Sequence, residues 1–406
     1  MSATTSNPAT AAPTRVDEAL AELADPPAAP SRRQRVRQEL RFAGPIVGLV
    51  LGIKLLLFWL GGVVGETLGN RGFESFFERF HMWNVWDAQQ YLGVAEFGYR
   101  TVGEAERTQI AFFPGYPMAV RAVHAVIPGD FLAAAFVTSA IASITAAVLL
   151  AQLVRADGGD DAQATRAAWF LLIFPTAYFL HLPYTESLFL TFVLGAFVAA
   201  RTGHWATAGI VGALAAMTRL NGILLIPALA VEAYLQYRRS GRFDRRSLWI
   251  LVTGAGLAFY LAINQHYFGD PFHFQQVQAE NWSKHFQNPI KTVTGMLGGY
   301  DTWTKPGEGL MVISMELGFM TLGLVASLLA WRYLRPSYAV WGLLNVLLFA
   351  STSWVQSTPR YVLTVFPIFL LLAKLRPGWL SMLASAWSMA AFAWLATLFA
   401  LGHWAF

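Results

Sequence analysis

AGPIVGLVLGIKLLLFWLGGVVG, residues Ala43–Gly65, is an apolar stretch that follows a basic run at Arg32–Arg41. A helix of about 17–25 mostly apolar residues is needed to cross about 30 Å of hydrocarbon, so this stretch predicts a membrane span. The whole chain is 55% hydrophobic and 13% charged over its 406 residues, whereas soluble domains have roughly 25% charged residues. These values predict an all-α polytopic membrane protein, because helices satisfy their own backbone hydrogen bonds in lipid.

Similar apolar segments recur along the rest of the chain and predict a bundle of about 10–12 transmembrane helices. They lie near 131–153, 166–183, 185–201, 204–218, 220–237, 248–268, 309–331, 338–355, 360–374 and 378–404. Residues 111–127 are also apolar, but they contain Pro114, Gly115 and Pro117. Prolines around a glycine disfavour a regular helix, so an interfacial or re-entrant segment is predicted. A full span, with a short hairpin miscounted elsewhere, is the alternative.

The basic residues collect in short runs between the apolar segments, at Arg32–Arg41, Arg238–Arg246, Arg332–Arg335 and Lys374–Arg376. Because such runs stay in the cytoplasm, all four predict one orientation with a cytoplasmic N-terminus. Residues 1–42 then form a disordered basic cytoplasmic tail, and 43–406 form the multi-spanning membrane domain. The loops 66–130 and 269–307 fall on the outer side, the first of them long and partly helical.

Several classes of function are disfavoured by composition. The net charge is +5, but its distribution in membrane-flanking runs argues against a nucleic-acid partner and for contact with membrane lipids. The chain has no cysteine, which excludes disulfides and cysteine-based metal sites. The sequence shows neither a glycine-rich nucleotide loop nor a persuasive His/Asp/Glu metal spacing. We therefore expect no cofactor, and a divalent metal is left open.

The first outer loop contains Trp83-Asn84-Val85-Trp86-Asp87-Ala88-Gln89-Gln90-Tyr91. In a helix, Trp83, Asp87, Gln90 and Tyr91 would share one face. An acid among indoles and a phenol is typical of a carbohydrate site, in which Asp87 accepts a proton from a hydroxyl and Trp86 helps bind the sugar. The alternative interpretation is a surface or capping aspartate beside ordinary interfacial tryptophans.

Two further stretches offer sugar or acceptor contacts. Tyr184 and Glu186 join two apolar segments, and Glu186 either holds an acceptor hydroxyl or stabilises the start of the next helix. The second outer loop carries Trp282, which we expect to line the path of the sugar. Both stretches are predicted on the same side as Asp87.

Three cationic residues are candidates for binding a phosphate. Arg219 and Arg360 lie at predicted outer helix junctions, where arginine can bind phosphate through paired donors, or can simply anchor a helix end. Lys54 falls inside the first predicted span, where an unpaired charge costs at least about 2.5–3.5 kcal/mol. It must therefore meet an acid or a phosphate, and a structural ion pair and a ligand role are both open.

The order of the motifs resembles that of the PIG-V family of mannosyltransferases from about residue 43 to 375. The motifs that carry the resemblance are Trp86-Asp87-Ala88 with Tyr91, Ala95-Glu96 with Gly98-Tyr99, Phe112–Pro117, Phe174–Thr176, Pro183–Ser187, Thr218–Gly222, Gly269–Pro271 with Gln278 and Trp282, Pro359–Tyr361, and Phe366-Pro367.

That family is similar to the GT-C glycosyltransferases, which use a polyprenyl-phosphate sugar at the non-cytoplasmic side. The resemblance implies a GT-C-like bundle and a hexosyltransferase that moves a sugar, most simply mannose, to a lipid or glycan acceptor with inversion. Asp87 matches the acid of the first outer loop, which in GT-C enzymes acts as base or positions the acceptor. The Ala- and Arg-rich composition predicts a bacterial plasma membrane. A flippase or transporter of lipid-linked sugars is the alternative function.

Overall fold

The computed structural model describes residues 31–75, 77–103, 107–298, 308–376 and 378–406. The chain divides into two units, Met1–Gly44 and Pro45–Phe406, and every contact discussed below lies within the second. The predicted disordered tail lies outside the described residues up to residue 30. The structure differs from the predicted boundary at residue 42, because the first helix already begins at Arg32 and runs through the basic run.

In the part of the chain that the structure describes, the elements are helical, apart from an isolated antiparallel bridge between Phe286 and Thr352. In chain order the α-helices are α1 (Arg32–Thr67), α2 (Glu78–His81), α3 (Asp87–Phe97), α4 (Gly115–His124), α5 (Phe131–Ala156), α6 (Asp161–Leu172), α7 (Glu186–Arg201), α8 (Trp205–Thr218), α9 (Leu225–Ser240), α10 (Thr253–Phe268), α11 (His273–Trp282), α12 (Pro289–Gly298), α13 (Glu308–Tyr333), α14 (Pro336–Ala350), α15 (Thr358–Val362), α16 (Pro367–Leu372) and α17 (Gly378–Ala400). Short 3-10 helices cover Thr108–Ala111, Ala177–Leu180, Leu220–Leu224 and Arg245–Val252.

Among the described residues, 6 helices are long and apolar enough to cross a membrane. They span Arg37–Thr67, Phe131–Ala156, Leu220–Ser240, Arg245–Phe268, Gly309–Tyr333 and Gly378–Ala400, and α8 and α14 are shorter apolar helices. Large apolar side chains on these helices face outward, for example Leu328 on α13 and Trp387 on α17. Such side chains suit a lipid environment, and the prediction of an all-α, multi-pass membrane protein is confirmed.

Three predicted spans have a different form. The stretch 166–183 is the end of α6 followed by a 3-10 helix, and 360–374 contains the short helices α15 and α16. The stretch 185–201 is α7, which has 16 residues and packs against α5 and α8. Most of its side chains are buried in protein, so its length need not match the hydrocarbon thickness. Apolar composition alone could not separate such an internal helix from one that faces lipid.

The segment 111–127 forms α4, whose 10 residues are too few to cross about 30 Å of hydrocarbon. Its first residue, Gly115, lies against the backbone of Thr218 at the end of α8, where a Cβ atom would collide. Gly222 makes an equally close approach to Ala215 and Ala216. These contacts fix the turn between α8 and α9, and that turn carries Arg219.

Candidate active site

A cavity of about 950 Å³ opens where several separate parts of the chain converge. Its walls include the start of α3, the segment before α4, Tyr184, the turn after α8, α11 with the segment after it, the end of α14, the residues around α15, and the end of α17 with Trp404–Phe406. The loops that the basic runs predicted on one side of the membrane therefore meet at one place. Asp87, Arg219, Lys284 and Arg360 are charged side chains that line it.

Asp87 is the first residue of α3, where the helix dipole favours a carboxylate. Its Oδ2 atom lies 2.6 Å from Nη1 of Arg360, and its side chain is 37% exposed while that of Arg360 is 6% exposed. No hydrogen bond from the described residues reaches Oδ1. The carboxylate is thus held by one oxygen and offers the other to the cavity.

Glu186, at the start of α7, is fully buried behind this pair and does not line the cavity. Its Oε1 atom accepts a hydrogen bond from Nε of Arg360 and another, of 2.5 Å, from Nη1 of Arg219. The prediction that Glu186 holds an acceptor hydroxyl is therefore wrong, because its side chain does not reach the cavity. Because its carboxylate is enclosed by two guanidinium groups, Glu186 positions the arginines instead.

Two aromatic rings also contact the guanidinium of Arg360. Its guanidinium carbon lies 4.6 Å from the ring centroid of Tyr184 and 4.9 Å from that of Phe179, as in cation–π contacts. Burial by itself lowers the pKa of Arg360, but the carboxylates of Glu186 and Asp87 raise it more, so the net pKa is well above its usual value. Tyr184 in turn donates a 2.8 Å hydrogen bond to the carbonyl of Val85, just before Asp87.

Five of the predicted sugar- or acceptor-binding residues line the cavity with Asp87, namely Trp86, Gln90, Tyr91, Tyr184 and Trp282. Trp86 caps α3 with φ 57° and ψ −127°, a conformation that costs a non-glycine residue about 1–3 kcal/mol. The half-exposed indole of Trp86 packs edge-to-face with the indole of Trp404, and the two ring centroids are 5.8 Å apart. Burial, and then the Asp87 carboxylate, raise the pKa of Tyr91, so its hydroxyl stays protonated and can donate.

The structure places two predicted site residues elsewhere. Trp83 precedes α3 and so does not share a helix face with Asp87. Its side chain is 1% exposed and stacks on the ring of Phe399, with 6.0 Å between the ring centroids. Lys54 donates a 2.9 Å hydrogen bond to the carbonyl of His181 and is absent from the cavity wall. Trp83 is therefore a packing residue, and a backbone carbonyl replaces the acid or phosphate that Lys54 was expected to meet.

The sequence did not reveal the role of Glu316, which lies in a membrane span and is 1% exposed. Its Oε1 and Oε2 atoms accept 2.7 Å hydrogen bonds from the backbone N–H groups of Ser357 and Thr358. This fixes the start of α15, which carries Arg360. An acid inside an apolar span is itself a signal of function or structure, and could have marked Glu316 in advance.

Lys284 and Tyr361 also line the cavity but were not assigned a role from sequence. Lys284 lies outside the motifs that carry the resemblance, and Tyr361 belongs to the Pro359–Tyr361 motif without its residue type indicating one chemistry. Only the tertiary fold brings both to Arg219. Within the described ranges, no group of three or more His, Cys, Asp or Glu residues is arranged to hold a metal ion. Metal dependence stays an open prediction.

Sequence comparison connects this site to known enzymes. Residues 73–243 match the family described as mannosyltransferase (PIG-V), and this segment includes Asp87, Tyr184, Glu186 and Arg219. The chain is similar to GPI alpha-1,6-mannosyltransferase 2 of Cricetulus griseus, with 29% identity over 150 residues. That alignment covers 35% of this chain and 29% of the relative's length. The predicted resemblance to PIG-V mannosyltransferases is confirmed over the matched segment.

Two solved structures align with most of this chain. ArnT from Cupriavidus metallidurans, bound to undecaprenyl phosphate, aligns with a TM-score of 0.49 and 17% identity over 85% of this chain and 62% of its own. The Archaeoglobus fulgidus oligosaccharyltransferase aligns with a TM-score of 0.43 and 14% identity over 87% of this chain and 55% of its own.

Proposed function

We propose that this chain, whose residues 73–243 match the PIG-V mannosyltransferases, is a membrane glycosyltransferase that moves a hexose, most simply mannose, from a polyprenyl-phosphate sugar to an acceptor hydroxyl. The observation that carries the proposal is the Asp87–Arg360 pair at the wall of an aromatic-lined cavity, with Asp87 inside the matched segment. The curated relative is a mannosyltransferase by name, which supports mannose as the sugar.

In the proposed reaction, the acceptor oxygen attacks the anomeric carbon while the bond from that carbon to the phosphate oxygen breaks. The phosphate leaves with the electron pair, the acceptor hydroxyl gives its proton to Asp87, and a single displacement inverts the anomeric centre. General-base help of this kind contributes about 10²–10⁴ in rate. The Oδ1 atom is suited to accept the proton because Arg360 engages Oδ2.

The surroundings of Asp87 suit both substrates. Aromatic faces and amides at Trp86, Gln90 and Trp282 can stack on a sugar and bond its hydroxyls. Apolar side chains at the start of the span Leu220–Ser240 and near the end of the shorter apolar helix α14, Leu220 and Leu348, line the same cavity and provide a path for an isoprenoid tail. We place the cavity at the extracytoplasmic side, as the distribution of basic runs predicts, and the acceptor is a lipid or glycan.

The test uses membranes from cells that overproduce the protein, supplied with labelled polyprenyl-phosphate mannose. Wild-type membranes are expected to transfer label into a new lipid or glycan product, and Asp87→Asn membranes to lose transfer by about 10²–10⁴-fold. Asp161→Asn is the matched control, because Asp161 also begins a helix and pairs with an arginine but lies outside the cavity. Full turnover by Asp87→Asn would remove the carboxylate from the mechanism.

The same membranes separate transfer from transport. If no donor sugar gives a new glycosidic bond, but labelled lipid-linked sugar changes leaflet only when the protein is present, the chain is a flippase. Swapping mannose for other sugars on the donor distinguishes a wrong sugar from a wrong reaction. An inverted product with mannose would support the proposal in full.

A further inference from the structure

Three cationic side chains line the cavity, but two of them are already matched by acids. Arg219 pairs with Glu186, and Arg360 pairs with both Glu186 and Asp87. Two guanidinium charges therefore face two carboxylate charges. An incoming phosphate would find little net positive charge among these four side chains.

Lys284 is the third cation, and among the described residues it has no carboxylate within ion-pair distance. The buried carboxylate of Glu316 interacts with it electrostatically from outside the cavity wall. The Lys284 ammonium lies 5.6 Å from the ring centroid of Tyr361. The guanidinium carbon of Arg219 lies 4.9 Å from the same ring. Tyr361 thus brings the Lys284 ammonium and the Arg219 side chain to one part of the cavity.

The backbone around Lys284 is held firmly. Its N–H donates a 3.1 Å hydrogen bond to the carbonyl of Gln278, and the preceding residue, Ser283, has φ 51°. Ser353 donates from Oγ to the carbonyl of Ser283 at 2.6 Å, and its N–H donates to the carbonyl of His285 at 2.8 Å. Hydrogen bonds on both sides of Lys284 fix where its side chain enters the cavity.

We infer that Lys284 is the phosphate-binding cation of this site, aided by Arg219 and Tyr361. The inference rests on the proposed function for the identity of the ligand as a polyprenyl phosphate, but its geometry is independent of Asp87. A phosphodiester donor has one negative charge, and its monoester product has more. A fixed ammonium therefore favours donor binding and stabilises the charge that develops as the phosphate leaves. Lys284 thereby replaces Lys54, which lies outside the cavity, as a predicted phosphate-binding residue.

The experiment measures binding of undecaprenyl phosphate to the purified full chain in detergent, so that turnover is not required. Lys284→Gln is expected to weaken binding by about 10–100-fold, since a hydrogen bond to a charged group is worth about 1.5–3 kcal/mol. Lys284→Arg keeps the charge and should retain most of the affinity. Lys291→Gln is the matched control, because Lys291 is exposed and outside the cavity.

A parallel titration with inorganic phosphate separates the headgroup from the tail. A loss of affinity for both probes in Lys284→Gln supports a headgroup contact, and unchanged affinity for undecaprenyl phosphate in a folded Lys284→Gln protein overturns the inference. Wild-type protein that fails to bind undecaprenyl phosphate overturns it as well. Wild-type protein that binds this lipid through Lys284 but never transfers a sugar would refute the transferase and leave the phosphate site standing.

Discussion

Arg360 Nη1 lies 2.6 Å from Asp87 Oδ2, although the two residues are 273 positions apart in the chain. The same guanidinium donates from Nε to the buried Glu186. One planar group therefore connects the proposed base to the acid behind it, and sets the direction in which Asp87 faces the cavity.

Arg360→Lys is expected to lower kcat by about 10²-fold, since a displacement of about 1 Å in a catalytic group costs that much. The lysine ammonium keeps the charge but cannot reproduce the planar fork that reaches both acids. Steady-state kinetics of sugar transfer check this, with the exposed Arg376→Lys as control. A kcat equal to that of wild type would show that Asp87 needs charge and not orientation.

Glu316→Gln is expected to lower the free energy of unfolding by about 1–3 kcal/mol, because one buried backbone N–H loses its acceptor. The start of α15 should move as well, so kcat should fall through the displaced Arg360. Denaturant unfolding in detergent, alongside kcat, tests both effects. The control is Glu280→Gln, which changes an exposed residue. Equal loss of stability in both variants would contradict the special role of Glu316.

Trp86 allows its backbone and its ring to be tested separately. Trp86→Gly should be more stable than Trp86→Ala by about 1–3 kcal/mol, since glycine adopts positive φ without the cost borne by other residues. Unfolding midpoints of the two variants measure this difference directly. Both variants remove the indole and should raise KM for the acceptor alike. A raised KM in only one of them would place the effect in the backbone.

Lys54→Met should leave KM for the donor unchanged, because the Lys54 ammonium bonds the carbonyl of His181 and not the cavity. The substitution removes a charge from a membrane span, which favours insertion by about 2.5–3.5 kcal/mol, but it also removes that hydrogen bond. The measurement is donor-dependent initial rate in the variant and in wild type. A strong rise in donor KM with an intact fold would return Lys54 to the phosphate site.

The sequence predicted the membrane class, and it singled out Asp87, which lies at the cavity wall, because both depend on local patterns. The catalytic role of Asp87 stays a prediction. Apolar runs indicate the helices of a membrane protein without showing which of them face lipid, and an acid among aromatic residues indicates a carbohydrate-binding surface. The incorrect predictions that Trp83 and Glu186 line the site have one cause. Trp83 and Glu186 lie within a few residues of cavity-lining positions, but a turn at Trp86 and the burial of the α7 N-terminus decide which side chains reach the cavity.

The role of Lys284, in contrast, could not be predicted from local sequence. Its importance depends on carboxylates that neutralise Arg219 and Arg360, and on Tyr361 from a distant part of the chain. No local pattern contains that information. Conversely, Lys54 looked exceptional in sequence because a cation in a span is rare, and a single carbonyl accounts for it.

The large separation in sequence between Asp87 and Arg360 also affects when the site can form during biosynthesis. Ribosomes add about 5–20 residues per second, so Arg360 emerges roughly 14–55 s after Asp87, which precedes it by 273 positions. Throughout that interval the acids of the future site lack their common partner, and Arg219 is available only for the later part of it. Nascent chains halted before residue 360 would therefore lack the cation that joins Asp87 to Glu186, so the site assembles only near the end of synthesis.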